Sequence, residues 1–428
     1  MKTVRVREHA ILIAGEGQQN SLDCGYVKPE TLDWLLEMQQ HWHGKTVLLQ
    51  QEGKRRVKLG NYVGYLQSPA GEGIEILPKT SIHEDASPEN LRKLLQSMLE
   101  VSLKLKPREA GSASLRRYEM PLHEWLISQF LSELVTLVHH GLRSDYFVKE
   151  ECSRFIRGKL DVNKQLRETP AQAASFHIRH SEFSAQRTEN RLLRSALDVI
   201  VQVTTESDNW RVAHKLSQQL VDIPPLQQPL QHFSGWLDNK IMQRYRAIRP
   251  WCQLVLEKLN PAFQQAQHRG VSLLFPMEKL YENYLAFCLQ RQLPANGKLT
   301  VQAASKYLVT HRTENQEVKD WFQLRPDFVV KLPEQCLVLD AKWKLIDQTL
   351  NTSEHHYCIS QSDIYQMYAY GRRYMAGTGD MMLVYPKHQQ FNKPLPPFKL
   401  EDDLRLWCIP FDLHIGKVIW DDIGIFVN

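Results

Sequence analysis

Short runs of alternating apolar and polar residues fill the first 80 positions of the chain. The runs VRVREHAILIAG, KTVLLQQ, RRVKLGNYVGYL and GIEILP are separated by Gly, Pro and Asn. This pattern is typical of strands joined by tight turns. We therefore expect a β-rich N-terminal domain over residues 1–110, folded as a small barrel or twisted sheet.

One hairpin in this region is unusually basic. TVLLQQ and KRRVKL read as two paired strands with Glu52-Gly53 at the turn, and the second arm carries Lys54, Arg55 and Arg56. Two interpretations stay open. The charges protect a solvated edge strand from pairing with other chains, or they form a finger that binds a partner.

The spacing of apolar residues changes to three and four after residue 87. Ser87 is a suitable N-cap and Pro88 suits the first helical position. Further helices are expected from Leu122, after Thr188 and over about 238–259, the last interrupted or kinked at Pro250. These patterns predict a helical middle region over residues 111–270.

Helices and strands alternate after Gly270. The helix MEKLYENYLAFCLQRQL is followed by the strand-like runs VQAASKYLV, FQLRPDFVVKL and QCLVLDAKWKL, then the helix DIYQMYAYGRRYM and the strand MMLVYP. This order predicts a mixed sheet flanked by helices over residues 271–428. The whole chain is then a multidomain α+β protein.

Composition and charge narrow the function classes only mildly. The chain has 428 residues, 43% of them hydrophobic, and a net charge of +5, which is compatible with a nucleic acid partner. Its seven cysteines are scattered without a CxxC pair, which favours free thiols in a reducing compartment. The N-terminus lacks the apolar core of a signal peptide, and no run approaches the ~18 apolar residues of a membrane span. We expect a cytoplasmic protein without a membrane partner.

Two acidic residues and a lysine interrupt the apolar strands of the C-terminal region. Asp327 follows Pro326 on one predicted strand, and Asp340 and Lys342, two residues apart, project from one face of the next. Carboxylates are the ligands that Mg²⁺ prefers, and a lysine beside them can stabilise the charge that develops in phosphodiester hydrolysis. The alternative is a structural Asp–Lys ion pair at a sheet edge.

Two further pairs lie on predicted helices around these strands. Glu278 and Glu282 are four residues apart on the first helix, and Gln366 and Tyr370 are four apart on the helix after Lys342. Residues at this spacing share one helix face. Either pair alone would more often be solvated or part of a core. The order of these pairs and the Asp–Lys strands along the chain is what favours a hydrolytic site.

This order resembles the PD-(D/E)xK nuclease superfamily and, more closely, the McrC family, the nuclease subunit of McrBC-type modification-dependent restriction systems. The resembling segments are EKLYENYLAF, LRPDFVV, LVLDAKWK, DIYQMYAYGRRY and LVYP, with GIEILPKT, SRFIRGKLD and QRTENRLLRSAL upstream. The resemblance spans roughly residues 70–390.

The resemblance implies a role for each candidate residue. Asp327, Asp340 and Glu282, with Glu278 as the fallback, would bind Mg²⁺ or Mn²⁺, and Lys342 would be the catalytic lysine. The other candidates would contact DNA or brace the site: Gln366, Tyr370 and Lys344.

The resemblance also implies partners. A McrC-like subunit works with a separate McrB-like AAA+ GTPase hexamer and cleaves double-stranded DNA that carries modified cytosine. This chain has no P-loop of its own, because Gln39 stands where the sequence ending in Gly44-Lys45-Thr46 would need its first glycine. We expect the β-rich domain to dock on the ring, with Lys54, Arg55 and Arg56 as candidate contacts.

The sequence therefore predicts a metal-dependent DNA endonuclease subunit of a type IV restriction system. Two alternatives stay open. One is a non-catalytic regulator that docks on the ring with a vestigial nuclease fold, and the other is a stand-alone repair nuclease of the same superfamily.

Overall fold

The computed structural model describes residues 3–15, 19–42, 46–81, 87–103, 120–167, 175–259, 270–333 and 335–420. The chain forms two compact units, one made of Met1–Leu122 with Leu273–Asn428 and the other of His123–Ser272. The regions 1–110 and 271–428, which the sequence analysis treats as separate domains, thus lie in one unit. Residue 110, Gly44 and Lys45 lie outside the described residues.

The beginning of the first unit is rich in strands, as the alternating pattern predicts. The strands are β1 (Thr3–Arg7), β2 (Ile11–Ala14), β3 (Cys24–Val27), β4 (Leu49–Gly53), β5 (Arg56–Leu59), β6 (Tyr62–Gln67) and β7 (Gly73–Leu77). One sheet has the order β3-β2-β5-β4, and β1, β7 and β6 are neighbours in another. The helix α1 (Pro29–Gln40), which the sequence analysis does not predict, begins with a proline in its first turn.

The basic hairpin forms, but its turn differs from the prediction. Strands β4 and β5 pair antiparallel with Gly53 opposite Arg56, so Lys54 and Arg55 make the two-residue turn. The predicted turn at Glu52-Gly53 is therefore wrong, since both residues belong to β4. The pairing register shifts between Gln51 and Gly53, which lengthens the first arm.

Helix α2 (Pro88–Ser102) is capped as predicted and is tied to the sheet by a buried ion pair. The Ser87 hydroxyl accepts a hydrogen bond from the Asn90 amide at 3.3 Å. The guanidinium of Arg92 donates two hydrogen bonds to Glu75 on β7, at 2.7 and 2.6 Å. Both side chains are 1% exposed. Such a pair favours one packing of helix on sheet, because either charge alone would be buried without a partner.

The second unit combines helices with a small sheet. Its helices are α3 (Leu122–His139), α4 (Val162–Gln165), α5 (Thr188–Val203), α6 (Ser207–Gln219) and α7 (Arg249–Leu254), with 3₁₀ turns at Pro229–Gly235 and Lys240–Tyr245 and a π turn at Val255–Leu259. Its strands are β8 (Asp145–Ser153), β9 (Lys159–Leu160) and β10 (Phe176–Ser184), in the order β8-β10-β9.

Two predictions for this region are corrected. It is not wholly helical, because β8 and β10 pair over their full nine residues. The helix expected over 238–259 is divided into a 3₁₀ turn at Lys240–Tyr245 and a helical segment in which α7 passes directly into the π turn at Val255–Leu259. Pro250 lies at the start of α7, where its fixed φ begins a helix and its missing N–H costs nothing, so it does not kink a longer one.

The C-terminal region of the first unit contains the mixed sheet that the sequence predicts. Strand β11 (Val271–Pro276) joins β6 of the N-terminal sheet, and helix α8 (Met277–Gln292) follows it directly. The remaining elements are β12 (Lys298–Val301), β13 (Lys306–Arg312), β14 (Val318–Leu324), β15 (Phe328–Lys331), β16 (Cys336–Ala341), a 3₁₀ turn at His356–Cys358, α9 (Gln361–Tyr374), β17 (Gly379–Pro386), β18 (Phe398–Lys399), β19 (Leu404–Asp412) and β20 (Lys417–Val418).

The large sheet has the order β12-β15-β16-β17-β19-β18, and β20 pairs with β19. Strands β16, β17 and β19 are parallel, whereas β15 runs antiparallel to β16. The run VQAASKYLV is not one strand but parts of β12 and β13, because Gln302 takes a positive φ of 49° between them. Strands β13 and β14 form a separate ribbon.

Glycine permits the close approach of two neighbouring elements at two places in this unit. A Cβ at Gly64 on β6 would lie 1.9 Å from the Leu273 carbonyl oxygen on β11, so a side chain there would separate the two strands. A Cβ at Gly371 on α9 would lie 2.8 Å from the Met381 sulfur on β17. Among the described residues, no helix is long and apolar enough to cross a membrane.

Candidate active site

The centre of the candidate site is an ion pair at the end of β16. Asp340 is 2% exposed, and its Oδ2 lies 2.7 Å from Nζ of Lys342. The main-chain N–H of Lys342 donates to the Val384 carbonyl oxygen at 2.9 Å, which continues the parallel pairing with β17 by one residue. The two side chains therefore share a face of the strand, as their spacing predicts.

Asp327 lies beside this pair, immediately before β15. Its Oδ2 accepts a hydrogen bond from the Ala341 N–H at 2.8 Å, which fixes the carboxylate next to β16. Burial and the neighbouring charge of Asp340 raise the pKa of Asp327 to about 7, and burial also raises the pKa of Asp340. Two carboxylates held together in a poorly solvated place repel each other, so the pair favours a positive charge between them.

Glu282 on α8 faces this cluster and Glu278 does not. Glu282 is buried, accepts hydrogen bonds from Gln302 at 2.7 Å and from Lys279 at 2.9 and 3.0 Å, and its charge helps to raise the pKa of both aspartates. Glu278 is exposed, and its charge acts on the pKa of Glu8 instead. The geometry therefore favours Glu282 as the helix-borne acid of the site.

Gln366 and Tyr370 on α9 connect the lysine to the backbone before Asp327. Lys342 donates to the Gln366 carbonyl oxygen at 2.9 Å, the Gln366 amide donates to the Tyr370 hydroxyl at 2.7 Å, and that hydroxyl donates to the Arg325 carbonyl oxygen at 3.1 Å. This chain of hydrogen bonds supports the bracing alternative for both residues. Burial raises the pKa of Tyr370 to about 12, so its hydroxyl stays neutral.

Asp363 is a member of the cluster that sequence reasoning missed. Its Oδ1 lies 3.5 Å from the Lys342 ammonium, and its Oδ2 accepts a hydrogen bond from Lys344 at 2.9 Å. Burial opposes the charge, but the hydrogen bonds from Lys344 and Ser360 keep the pKa of Asp363 below its usual value. In the sequence, Asp363 reads only as the acid of a helix start, because it stands three residues after the N-cap Ser360.

The charge state of Lys342 follows from these neighbours. Burial disfavours the ammonium, but Asp340 and Asp363 outweigh it and raise the pKa of Lys342. Across the described ranges, no three His, Cys, Asp or Glu side chains converge closely enough to form a metal-binding group. The metal-ligand roles of Asp327, Asp340 and Glu282 therefore stay predictions.

Comparison with known proteins identifies the family. The sequence profile described as "McrBC 5-methylcytosine restriction system component" matches residues 57–386. The chain belongs to this McrBC family. A comparison with curated protein sequences returned no match.

Two solved structures share the fold of this McrBC-family chain. The first is a refined half-complex from the tetradecameric assembly of Thermococcus gammatolerans McrB AAA+ hexamers with bound McrC. It has 18% identity and a TM-score of 0.69, covering 98% of this chain and 97% of that one. The second is a chain of the cryo-EM structure of the Thermococcus gammatolerans McrBC complex, with 20% identity and a TM-score of 0.52, covering 68% and 88%. The McrC resemblance stated from the sequence is confirmed.

The remaining predicted residues occupy exposed positions. Lys344 is 46% exposed on its side chain and pairs with Asp363. Lys54, Arg55 and Arg56 are all exposed, and Arg56 lies 3.4 Å from Glu52. An exposed pair of this kind adds little to stability.

A contact with the N-terminal sheet holds the catalytic segment from the other side. Trp343 follows Lys342, and its indole N–H donates to Oε1 of Glu8 at 2.7 Å. The Trp343 ring also packs on Tyr281 of α8, with ring centroids 5.2 Å apart. Glu8 is 0% exposed, and burial raises its pKa to about 7. The end of β1 therefore contributes directly to the position of the residues after β16.

We predict that Glu8→Gln changes how stability depends on pH. Burial raises the folded-state pKa of Glu8 from its usual value of 4.5 to about 7, so the wild-type protein loses the stability that this group contributes as pH rises between these two values. Glutamine does not ionise and keeps an acceptor for Trp343. Over this range the free energy of unfolding of Glu8→Gln should rise relative to wild type, by up to about 3 kcal/mol. Urea denaturation at several pH values measures this, and a pH-independent difference would contradict it.

Proposed function

We propose that this chain is the DNA-cleaving subunit of a McrBC-like, modification-dependent (type IV) restriction system. Its C-terminal region would be a PD-(D/E)xK nuclease that hydrolyses phosphodiester bonds of double-stranded DNA carrying modified cytosine. The observation that carries the proposal is the cluster of Asp327 and Lys342 around the buried Asp340, at the end of β16 in a mixed sheet, in a chain of the McrBC family.

The oxygen donors present suit a hard divalent cation in their chemistry, although no three of the described acidic, His or Cys side chains already converge on one point. Burial and the charge of Asp340 raise the pKa of Asp327, whereas burial and the charges of Asp363 and Glu282 raise the pKa of Asp340. Oxygen donors of this kind suit Mg²⁺ or Mn²⁺, which Asp327, Asp340 and Glu282 would hold. When bound, the ion would supply Lewis-acid polarisation of the phosphate and of the attacking water.

Lys342 would stabilise the negative charge that develops on the phosphate. Its ammonium is held by Asp340 at 2.7 Å, Gln366 at 2.9 Å and Asp363 at 3.5 Å. Because these contacts exist before DNA binds, the charge needs little rearrangement during reaction. Asp363 would act as a positioning residue, and Gln366 with Tyr370 would brace the lysine against the backbone at Arg325.

A separate AAA+ GTPase hexamer would control cleavage. The solved structure with the same fold is McrC bound to McrB AAA+ hexamers, and we propose the same kind of partner here. A nuclease without a reader of its own would otherwise cut unmodified DNA. We propose that the exposed turn at Lys54 and Arg55, with Arg56, contacts the ring.

The two alternatives are less well supported. A vestigial nuclease fold would not need to keep Asp340 and Lys342 buried and paired, since a buried ion pair seldom stabilises more than an apolar replacement. A stand-alone repair nuclease would not explain a family match that begins at residue 57, far upstream of the site.

Loss of a single charged group of the cluster should abolish cleavage. Asp340→Ala and Lys342→Ala should each lower the rate by at least about a hundred-fold, the usual effect of removing one pre-positioned electrostatic group. Cleavage of methylated plasmid with the partner GTPase and GTP present measures the rate. Lys342→Ala should keep metal binding, because its ammonium acts on the phosphate and water.

A matched pair on α8 provides the control. Glu282→Gln should lower cleavage strongly, whereas Glu278→Gln, one helical turn away and exposed, should not. Wild-type cleavage by Asp340→Ala would overturn the proposed active site, and equal effects of the two glutamine variants would overturn the choice of Glu282.

The metal requirement gives an independent test. Mg²⁺ or Mn²⁺ should support cleavage, and Ca²⁺ should not, because the larger ion prefers looser and higher coordination. The measurement is plasmid cleavage after dialysis against EDTA and addition of each ion. Cleavage that persists in excess EDTA would rule out the proposed mechanism.

Docking on the ring is tested best with point variants. Residues 1–122 share a compact unit with the catalytic residues, so a truncation would disturb both functions. Lys54→Ala with Arg55→Ala should weaken co-elution with the partner hexamer and lower its stimulated GTP hydrolysis, because both side chains lie in the exposed turn. Lys28→Ala with Lys93→Ala removes the same charge from exposed positions elsewhere and is the control. Unchanged stimulation by the turn variant would place docking elsewhere.

A further inference from the structure

A cavity of about 280 Å³ lies next to the catalytic segment, between the N-terminal sheet and the residues after β16. Its wall includes Glu8, His9 and Lys79 on one side and Trp343, Lys344 and Pro386 on the other. Lys344, two residues from Lys342, is already a candidate DNA contact, whereas the other lining residues have no role in the cleavage chemistry described above. The segment GIEILPKT, which contains Lys79, also has no role so far.

Glu8 links the two walls of the cavity by hydrogen bonds. Its Oε1 accepts one hydrogen bond from the Lys79 main-chain N–H at 2.8 Å and another from the Trp343 indole at 2.7 Å. Its Oε2 is buried and has no hydrogen-bond partner among the described residues. A fully buried carboxyl that joins two distant segments keeps the cavity open in one shape.

Two lysines line the cavity, and burial with the charges of Lys79 and Lys58 lowers the pKa of His9. Lys79 and Lys344 contribute ammonium groups, and the His9 ring adds a further nitrogen donor. Lys79 has a loose contact with Asp23 at 3.9 Å, and Asp23 is bound more closely by Arg7. Burial raises the pKa of Glu8 to about 7, which reduces its negative charge near neutrality. The lining therefore suits an anion.

The cavity adjoins the candidate reaction centre through Lys344. Lys342 and Lys344 are two residues apart, a span of roughly 6.6 Å in extended chain. Asp363 contacts both ammonium groups, at 3.5 Å and 2.9 Å. A DNA strand carries a phosphate about every 3.4 Å along the helix axis. A strand with one phosphate at Lys342 would therefore bring a neighbouring phosphate within reach of Lys344, which lines the cavity.

We propose that this cavity is a subsite for a non-scissile phosphate of the cleaved DNA strand, bound by Lys79 and Lys344. The proposal rests on the proposed nuclease function and extends it, because Lys79 brings the N-terminal sheet into contact with the substrate. Glu8 is a positioning residue of the subsite. Phosphate contacts of this kind fix the register of the protein on DNA and carry no sequence information.

The test measures DNA binding, without cleavage, by the full-length chain assembled with its partner GTPase hexamer and a non-hydrolysable GTP analogue. In a Lys342→Ala background, binding to a fluorescein-labelled duplex is measured over a range of salt concentrations, with and without 5-methylcytosine. Adding Lys79→Ala should raise the Kd about three- to ten-fold on both duplexes and make the slope of log K against log salt shallower by about 0.9. Lys79→Arg should restore most of the affinity and slope, because it keeps the charge.

Lys28→Ala is the matched control. It removes an exposed lysine of the same N-terminal region outside the cavity and should leave the slope unchanged. If Lys79→Ala and Lys28→Ala have the same slope, the subsite is wrong, while the nuclease function still depends on the Asp340→Ala result. If the parent protein does not bind either duplex, the subsite and the proposed function are both contradicted. A Lys79→Ala defect that Lys79→Arg fails to rescue would indicate a structural role and overturn the proposal.

Discussion

The burial of Asp340 inside an apolar sheet constrains the whole C-terminal region. Its neighbours on β16, Val338 and Leu339, are fully buried, so the carboxylate depends on nearby groups rather than on water. Lys342 supplies the opposite charge, and that ammonium in turn needs Gln366 and Asp363. Helix α9 must therefore pack where these two side chains reach the strand end.

The same constraint extends into the N-terminal sheet. Strand β16 ends at Ala341, and the residues that follow have no ladder partner to hold them beyond the Lys342 N–H bond to Val384. Trp343 takes over this role through Tyr281 and Glu8. The β-rich region is thus part of the framework of the candidate site, in addition to any contact it makes with a partner. This explains why the two regions form one compact unit.

Local periodicity predicted much of the candidate site. The two-residue spacing of Asp340 and Lys342 put both on one strand face, and the four-residue spacing of Gln366 and Tyr370 put both on one side of α9. The cap at Ser87 and the helix from Leu122 followed from the same local rules. These features depend on neighbouring residues alone, so a single sequence contains them. Their chemical roles still rest on the family resemblance and stay predictions.

The features that sequence reasoning missed depend on contacts between distant segments. Glu8 and Trp343 are 335 positions apart, and nothing near Glu8 in the sequence indicates that its carboxyl will be buried against the catalytic segment. Asp363 had a sufficient local explanation as a helix-start acid, which hid its contact with Lys342. A local pattern can thus identify candidate site residues. The groups that fix the positions of these residues are recognised only from tertiary contacts between distant segments. In this protein, Glu8 directly after the N-terminal strand is such a group, so a substitution far from Lys342 in sequence can still change how the segment around Lys342 is held.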